Sequence, residues 1–181
     1  MTIIKNIVIT GFMATGKTTI GKEIADLLRM TFLDTDQLIE KSASLKVEEI
    51  IRGRGENYFR ELESIVIEKL PPDSGLVISS GGGAVLLEKN LRCLNRLGIL
   101  FCLDAKIDEL ERRLGFDASR PLLDSADRRK KIESILWERQ DLYRKIPRHI
   151  DTSDITPREA AIKIIKQYQR LIQNDGISNE S

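Results

Sequence analysis

Residues 7–18 read Ile-Val-Ile-Thr-Gly-Phe-Met-Ala-Thr-Gly-Lys-Thr, an apolar strand pattern that runs into a glycine-rich turn. The turn, from Gly11 to Thr18, fits the phosphate-loop pattern G-x-x-x-x-G-K-[ST]. Its glycines let the backbone approach phosphate oxygens closely and point N–H groups at them. An amphipathic helix is predicted directly afterwards, and its N-terminus favours an anion. The stretch therefore predicts nucleotide phosphate binding on an α/β fold.

Two side chains at the end of this turn have the chemistry that a nucleotide requires. Lys17 is placed to reach the β- and γ-phosphates, and the Thr18 hydroxyl is placed to ligate Mg²⁺. The alternative is a plain glycine turn with an incidental lysine. The strand before the turn and the helix after it favour the phosphate loop.

The composition excludes several other classes of protein. The chain has 181 residues, with 29 Lys and Arg against 28 Asp and Glu, so no overall field favours nucleic acid or an anionic membrane. No apolar run approaches the roughly 20 residues that span a bilayer, and no signal sequence precedes the first strand, so we expect a cytoplasmic protein. Cys93 and Cys102 have no metal-ligand spacing, and the single histidine, His149, disfavours a histidine metal cluster or a charge relay.

Strand and helix patterns alternate along the chain, which predicts a parallel sheet covered on both faces. No linker divides it, so we expect one domain over residues 1–173 and a polar C-terminal tail over 174–181. Strands are predicted at 6–10, 31–34, 76–79, 99–103 and 149–151, and helices at 17–29, 37–44, 55–70, 86–96, 106–114, 127–145 and 157–173.

Two carboxylates follow the second strand, at the edge where open α/β sheets bind ligands. If the strand continues through Asp34 and Asp36, both side chains point the same way, towards the cleft. One would then hold a Mg²⁺ water, and the other would accept a proton from a substrate hydroxyl or orient it. Either residue could instead be the N-cap of the helix that follows.

Further candidates for substrate binding lie on the next helix and strand. Arg60 and Glu63 are three residues apart on a predicted helix, where Glu63 can hold the guanidinium so that it grips a carboxylate, or the two can form a solvated pair. Gly81, Gly82 and Gly83 follow the third strand. Three glycines there favour a backbone that approaches a ligand closely over a plain turn.

A polar segment between two helices, at about 115–125, is typical of a mobile lid. Arginines border it and lie within it, among them Arg112, Arg113 and Arg120. These side chains would reach over a phosphoryl group in transfer. Arg139, on the helix that follows, is a further candidate, although a single helical arginine is more often only solvated.

Taken together and in this order, these stretches resemble the shikimate kinase family along nearly the whole chain. The matching stretches are Gly11 to Thr19, Asp34-Thr35-Asp36, Phe59-Arg60 with Glu63, Gly81 to Ala84, Arg120-Pro121-Leu122-Leu123, and Arg139 with Leu142-Tyr143. The resemblance implies a three-layer α/β/α fold like that of nucleoside monophosphate kinases, with a five-stranded parallel sheet and a lid. It also implies phosphorylation of the shikimate 3-hydroxyl by ATP with Mg²⁺, in aromatic amino-acid biosynthesis, and we expect a monomer.

The resemblance also assigns roles to residues. On the acceptor side, Asp36 would bind the ring hydroxyls and act as the base, and the two arginines would bind the carboxylate. The expected acceptor site consists of Asp36, Arg60, Glu63, Gly81, Gly82, Gly83 and Arg139. Lys17 and Arg120 would stabilise the transferring phosphoryl group, and Thr18 with Asp34 would organise Mg²⁺.

The nucleotide side of the expected site combines the phosphate loop with two more distant segments. Arg113 and the loop from Thr152 to Pro157 would contact adenine. The expected nucleotide site consists of Ala14, Thr15, Gly16, Lys17, Thr18, Thr19, Arg113, Arg120 and Ile155. Two residues depart from the family pattern, since Ala14 stands where many members have glycine and Ile155 where some have arginine. Gluconate and adenylate kinases share the loop and lid but do not account for the acceptor-side set, and a non-catalytic sensor domain is the alternative from another class.

Overall fold

A computed structural model of the chain describes residues 4–115 and 128–178. Arg120 and the predicted lid, apart from its first residue, lie outside the described residues. Within them, five parallel strands form one sheet in the order β2-β3-β1-β4-β5. The strands are β1 (Asn6–Gly11), β2 (Thr31–Asp34), β3 (Leu76–Ser79), β4 (Gly98–Asp104) and β5 (His149–Asp151).

Helices cover both faces of this sheet, as the alternating pattern predicts. They are α1 (Lys17–Leu28), α2 (Thr35–Ala43), α3 (Val47–Lys69), α4 (Glu88–Leu97), α5 (Ile107–Gly115), α6 (Arg128–Tyr143) and α7 (Pro157–Ser178). No described helix combines the length and apolarity needed to cross a bilayer.

The central strand β1 is buried along its whole length between β3 and β4. Its side chains alternate between two hydrophobic cores, because successive residues of a strand point to opposite faces. Ile7 and Ile9 pack with α1 and α7, whereas Val8 packs on the other face with α4, α5 and α6. A smaller cluster joins α2 to α3 beside the sheet. Because β1 is fixed on both sides, the loop that follows it has a rigid base.

Several element boundaries differ from those predicted, among them those of α2, α3 and α7. Helix α2 begins at Thr35, because Asp34 caps it, and α7 continues to Ser178, beyond the predicted end at residue 173. No element is predicted over 47–54, but this segment is the first part of α3. Gly55 kinks that helix at φ 84°, which explains why the pattern is interrupted there.

Candidate active site

The phosphate loop joins β1 to α1 and is shaped by residues with positive φ. Gly16 has φ 94° directly before α1, a conformation that is costly for residues with a side chain. Ala14 has φ 60° in the same loop, so the alanine at this family glycine position adopts a left-handed conformation. The loop is closed by Thr15, whose hydroxyl donates to the Phe12 carbonyl at 2.8 Å.

The ammonium group of Lys17 lies back over this loop. Its Nζ donates to the carbonyl oxygens of Gly11 at 3.0 Å and Phe12 at 2.8 Å. Both acceptors are neutral carbonyls, so a phosphate oxygen, which carries charge, is a stronger acceptor for the same group. The structure therefore holds the lysine beside the loop in a position from which it can transfer to a bound anion.

Asp34 and Asp36 lie on different elements, which corrects the prediction of strand alternation. The strand ends at Asp34, and Asp36 belongs to the first turn of α2. Asp34 is the N-cap, since its Oδ1 accepts from the Asp36 backbone N–H at 3.1 Å. Its Oδ2 accepts from the Thr18 hydroxyl at 2.9 Å. Asp34 therefore caps α2 with one carboxylate oxygen and contacts the end of the phosphate loop with the other.

Asp36 faces a different neighbour, the glycine turn after β3. A Cβ on Gly81 would lie 2.9 Å from Asp36 Oδ1 and would overlap Glu63 Oε1. The two carboxyl groups therefore converge on the one residue that leaves them room. The two predicted aspartates are thus separated by the strand end, one directed to the phosphate loop and one to the glycine turn.

Glu63 and Arg60 form a largely buried ion pair on α3. Arg60 Nη1 is 3.0 Å from Glu63 Oε2, and the side chains are 17% and 0% exposed. Burial raises the pKa of the Glu63 carboxyl, while the charge of Arg60 opposes that shift and the charge of Asp36 adds to it. Burial also opposes the charge of Arg60, yet Glu63 and the exposed Glu56 raise the pKa of its guanidinium.

Two atoms of this pair are left open. Within the described residues, Glu63 Oε1 and Arg60 Nε are buried and have no hydrogen-bond partner. Buried polar atoms are nearly always satisfied, so orphaned ones require a reason. A polar ligand that binds against the pair would supply the missing partners.

Each glycine of the triplet has a local reason to lack a side chain. A Cβ on Gly83 would overlap the Arg60 guanidinium, and one on Gly82 would lie 3.0 Å from the Gly11 carbonyl. The turn therefore separates the acceptor-side charges from the phosphate loop by the width of a backbone. The prediction of close backbone approach to a ligand stays a prediction.

Arg139 lies on α6, and its charge acts on the same group of side chains. Burial raises the pKa of Glu63, and the positive charge of Arg139 acts in the opposite direction. Burial also raises the pKa of Tyr143 to about 12, and there too the charge of Arg139 acts against the shift. The Tyr143 hydroxyl donates to the Gly82 carbonyl at 2.6 Å. Arg139 is half-buried and its charge acts on Glu63 and Tyr143, so it is more than a solvated helix residue, and its role in binding stays a prediction.

A separate cleft of about 550 Å³ opens beside the phosphate loop. This volume is within the usual range for small-molecule sites. The cleft brings together the loop, α5 and the segment after β5, which lie far apart in the sequence. Of the predicted nucleotide-site residues, those that line it are Thr15, Gly16, Thr19, Arg113 and Ile155.

Arg113 connects the three walls of this cleft. Its Nη1 donates to the Ala14 carbonyl at 3.1 Å, its Nη2 to the Thr152 carbonyl at 2.7 Å, and its Nε to Glu109 Oε1 at 2.7 Å. The hydrogen bonds of Arg112 and Arg113 to Glu109 lower the pKa of this carboxyl to about 2. The Thr152 hydroxyl is 3.1 Å from the Thr15 carbonyl. The expected adenine contacts are therefore tied to the backbone of the phosphate loop.

His149 lies outside both parts of the site, at the edge of the sheet. Pairing of β4 with β5 brings it beside Cys102 and Asp104, a group that the sequence spacing did not reveal. His149 Nδ1 is 2.7 Å from Asp104 Oδ2. Two ligands at about 2.0 Å from one tetrahedral zinc would be farther apart than that, so the described geometry is that of a hydrogen-bonded pair.

Comparison with known proteins identifies the family. The shikimate kinase family model matches residues 13–169. The chain belongs to the shikimate kinase family. Members of this family phosphorylate shikimate with ATP, and the chain is a kinase of this type.

Relatives and solved structures agree with this membership. A shikimate kinase from Thermodesulfovibrio yellowstonii is 42% identical over 92% of this chain and 96% of its own. One from Thermoanaerobacter pseudethanolicus is 43% identical over 92% of this chain and 98% of its own. The solved shikimate kinase from Acinetobacter baumannii in complex with shikimate is 33% identical, covers 94% of each chain and superposes with a TM-score of 0.85. The fold is accordingly the α/β phosphate-loop fold of shikimate kinases.

The sequence of this shikimate kinase gave no separate role to two residues that contact the candidate site. Thr152 was included only as the start of a loop, although its hydroxyl and carbonyl join that loop to Thr15 and Arg113. Tyr143 belongs to the stretches that match the family, but the resemblance assigns it no role. Its position four residues after Arg139 on a predicted helix was the available signal, because such residues share a face.

Proposed function

We propose that this chain transfers the γ-phosphoryl group of ATP to the 3-hydroxyl of shikimate, in the pathway to the aromatic amino acids. The observation that carries the proposal is the convergence of Asp36, Glu63 and Arg60 on the glycine turn, next to the phosphate loop. A hydroxylated acid is the type of acceptor that this set of charges suits. Its carboxylate would pair with arginine, and its hydroxyls would face Asp36.

The carboxylate of shikimate would bind between Arg60 and Arg139. The buried Glu63 holds Arg60 from behind, so the guanidinium is presented without rearrangement. Its Nε is buried and has no hydrogen-bond partner among the described residues, and it would donate to the carboxylate of the acceptor. Preorganised charge of this kind lowers the cost of binding.

Asp36 would accept the proton of the 3-hydroxyl as its oxygen attacks the γ-phosphorus, and ADP would leave on the opposite side. The transition state of such transfers requires little covalent help, so position and charge dominate. Lys17 would move from its loop carbonyls to the phosphates, and Arg120 would supply a second cation there. Thr15, Gly16, Thr19, Arg113 and Ile155 would surround the nucleotide, with Ala14 supporting Arg113.

Thr18 and Asp34 fit a Mg²⁺ ion bound with ATP. Both offer oxygen, the ligand type that Mg²⁺ prefers, and their oxygens are 2.9 Å apart. When bound, the ion would neutralise phosphate charge. The Asp34 carboxylate would orient the Thr18 hydroxyl and the water shell of the ion.

We expect Asp34→Asn to raise the Mg²⁺ concentration that gives half the maximal rate by about 10-fold, because outer-shell partners of metals have effects of this size. The maximal rate at saturating Mg²⁺ should recover to a large extent. A Mg²⁺ titration of the rate measures this directly. If excess Mg²⁺ rescues Asp36→Asn and not Asp34→Asn, the two assignments are reversed.

Arg60→Ala should cost about 2 kcal/mol of transition-state stabilisation, measured from kcat/KM for shikimate, because a charged hydrogen bond to the acceptor is lost. The ATP affinity of the free enzyme should change far less. The matched control is Arg54→Ala. Arg54 is an exposed arginine on the same helix, and its guanidinium donates to the Tyr58 hydroxyl. Calorimetry with each substrate gives the comparison, and equal losses of nucleotide and shikimate binding would make Arg60 a structural residue.

An acceptor panel tests the proposed function. ADP release is followed with shikimate, quinate, gluconate and AMP at equal concentrations. Shikimate should be the preferred acceptor by a wide margin, since AMP has no carboxylate, and quinate and gluconate place theirs on a carbon frame of different shape. Preference for gluconate or AMP would point to another kinase, and binding of shikimate without ADP release would point to a sensor.

We propose that the enzyme acts as a monomer. Both cysteines are free, with Cys102 buried and Cys93 partly so. Free thiols suit a reducing compartment, and we propose the cytoplasm.

A further inference from the structure

Tyr143 connects helix α6 to the glycine turn. Its ring is 6% exposed, and its hydroxyl donates to the Gly82 carbonyl at 2.6 Å across 61 residues of sequence. This distance is at the short end for an O–H···O bond. Burial raises the pKa of the phenol to about 12, so it remains a neutral donor at every pH at which the enzyme would be assayed.

Gly82 is also in contact with the phosphate loop. A Cβ on it would lie 3.0 Å from the Gly11 carbonyl and 3.5 Å from the Met13 nitrogen. The turn is thus held between Tyr143 on one side and the loop on the other. Displacement of Gly82 would change the distance between the acceptor-side residues and the phosphates.

Arg139 is one helical turn before Tyr143 and on the same face, because residues four apart on a helix are neighbours. The two side chains interact, since the charge of Arg139 acts on the Tyr143 hydroxyl. A phenol has one hydrogen to donate, and Gly82 takes it, so the oxygen is free to accept from a guanidinium. One hydroxyl can therefore contact both the Gly82 carbonyl and Arg139.

We propose that Tyr143 is a positioning residue for the acceptor. It fixes Arg139 relative to the glycine turn. The acceptor carboxylate that binds Arg139 then places the reacting hydroxyl of the acceptor at the right distance from the phosphate loop. The inference rests on the proposed function, because it takes shikimate as the acceptor. Tyr143 does not need to contact shikimate for this role.

A second buried tyrosine provides a matched control. Tyr168 on α7 is 4% exposed, and its hydroxyl donates to the Lys5 carbonyl at 2.7 Å. It packs in the core on the opposite face of the sheet. Tyr143→Phe and Tyr168→Phe each remove one hydroxyl from one backbone carbonyl, so a purely structural role would make the two variants alike.

The test is steady-state kinetics of both variants. Tyr143→Phe should raise KM for shikimate about 10-fold, with kcat changed less than about 3-fold and KM for ATP unchanged. Tyr168→Phe should keep the KM of the wild type for both substrates, with a comparable fall in melting temperature. Equal shikimate KM values for Tyr143→Phe and wild type would overturn the proposal. If Tyr143→Phe is too unstable for the assay, calorimetric titration with shikimate at reduced temperature provides the same comparison.

A double-mutant cycle tests the link to Arg139. In the Arg139→Ala background, Tyr143→Phe should weaken shikimate binding by less than about 2-fold, because the side chain that Tyr143 holds is gone. Additive losses would contradict a role through Arg139. Failure of the proposed function is recognised separately, since wild-type enzyme would then not turn over shikimate at all.

Discussion

Asp36→Asn is expected to reduce the rate of phosphoryl transfer to shikimate by about 1,000-fold, within the range for loss of a general base. Asparagine keeps the size of the side chain and part of its hydrogen bonding, but it cannot accept the hydroxyl proton. Asp36 Oδ1 lies close to Gly81, where the buried Glu63 also points. Loss of the negative charge at this position also removes the Asp36 contribution that raises the pKa of Glu63.

Nucleotide binding separates this effect from a general loss of structure. Asp36 is in α2 and does not line the cleft beside the phosphate loop. Calorimetry should therefore give the wild-type affinity of Asp36→Asn for ATP, while single-turnover kinetics show the loss of transfer. A variant that transfers phosphate within 10-fold of the wild-type rate, about 1.4 kcal/mol, would remove Asp36 from the role of base.

Lys17→Met should reduce kcat by at least about 100-fold, because the charge is needed more as the phosphoryl group leaves than in the ground state. In the described structure Nζ donates to two neutral carbonyls, those of Gly11 and Phe12. Methionine keeps most of the length of the side chain and removes the ammonium. Helix α1 should fold unchanged, since its core contacts come from Ile20 and Ile24.

The control for Lys17→Met is Lys22→Met, which removes an exposed ammonium from the same helix. Its kcat and its KM for ATP should match those of the wild type. Measurement of kcat for both variants at saturating ATP and shikimate decides the matter. Turnover by Lys17→Met close to the wild-type value would contradict the assignment of the phosphate loop.

Much of the fold was predictable because its signals are local. The β1 pattern, the loop glycines and the amphipathic start of α1 all lie within residues 6–28, and the structure follows them closely. The start of α7 is also marked locally, by a threonine before a proline, and the Thr156 hydroxyl accepts from the Glu159 backbone N–H at 3.2 Å. Local patterns failed at the strand end after Leu33. There a capping aspartate starts a helix earlier than periodicity alone predicts.

The candidate site was predictable as a set of residues but not as an arrangement. Each charged residue could be found from its type and its neighbours in the sequence. The reason for Gly81 could not, because it depends on two carboxyl groups brought from α2 and α3. The bond from Tyr143 to Gly82 joins residues far apart in the chain, and so do the bonds of Arg113. Contacts of this kind are fixed by packing and not by local pattern.

Phosphorus NMR of the reaction products tests the central claim most directly. Wild-type enzyme is incubated with ATP, Mg²⁺ and shikimate, and the products are followed together with the ring protons. We predict equal amounts of ADP and of one phosphate monoester, coupled to the proton at carbon 3 of the shikimate ring. ADP accompanied only by inorganic phosphate, or a monoester on a different hydroxyl, would contradict phosphoryl transfer to the 3-hydroxyl at this site.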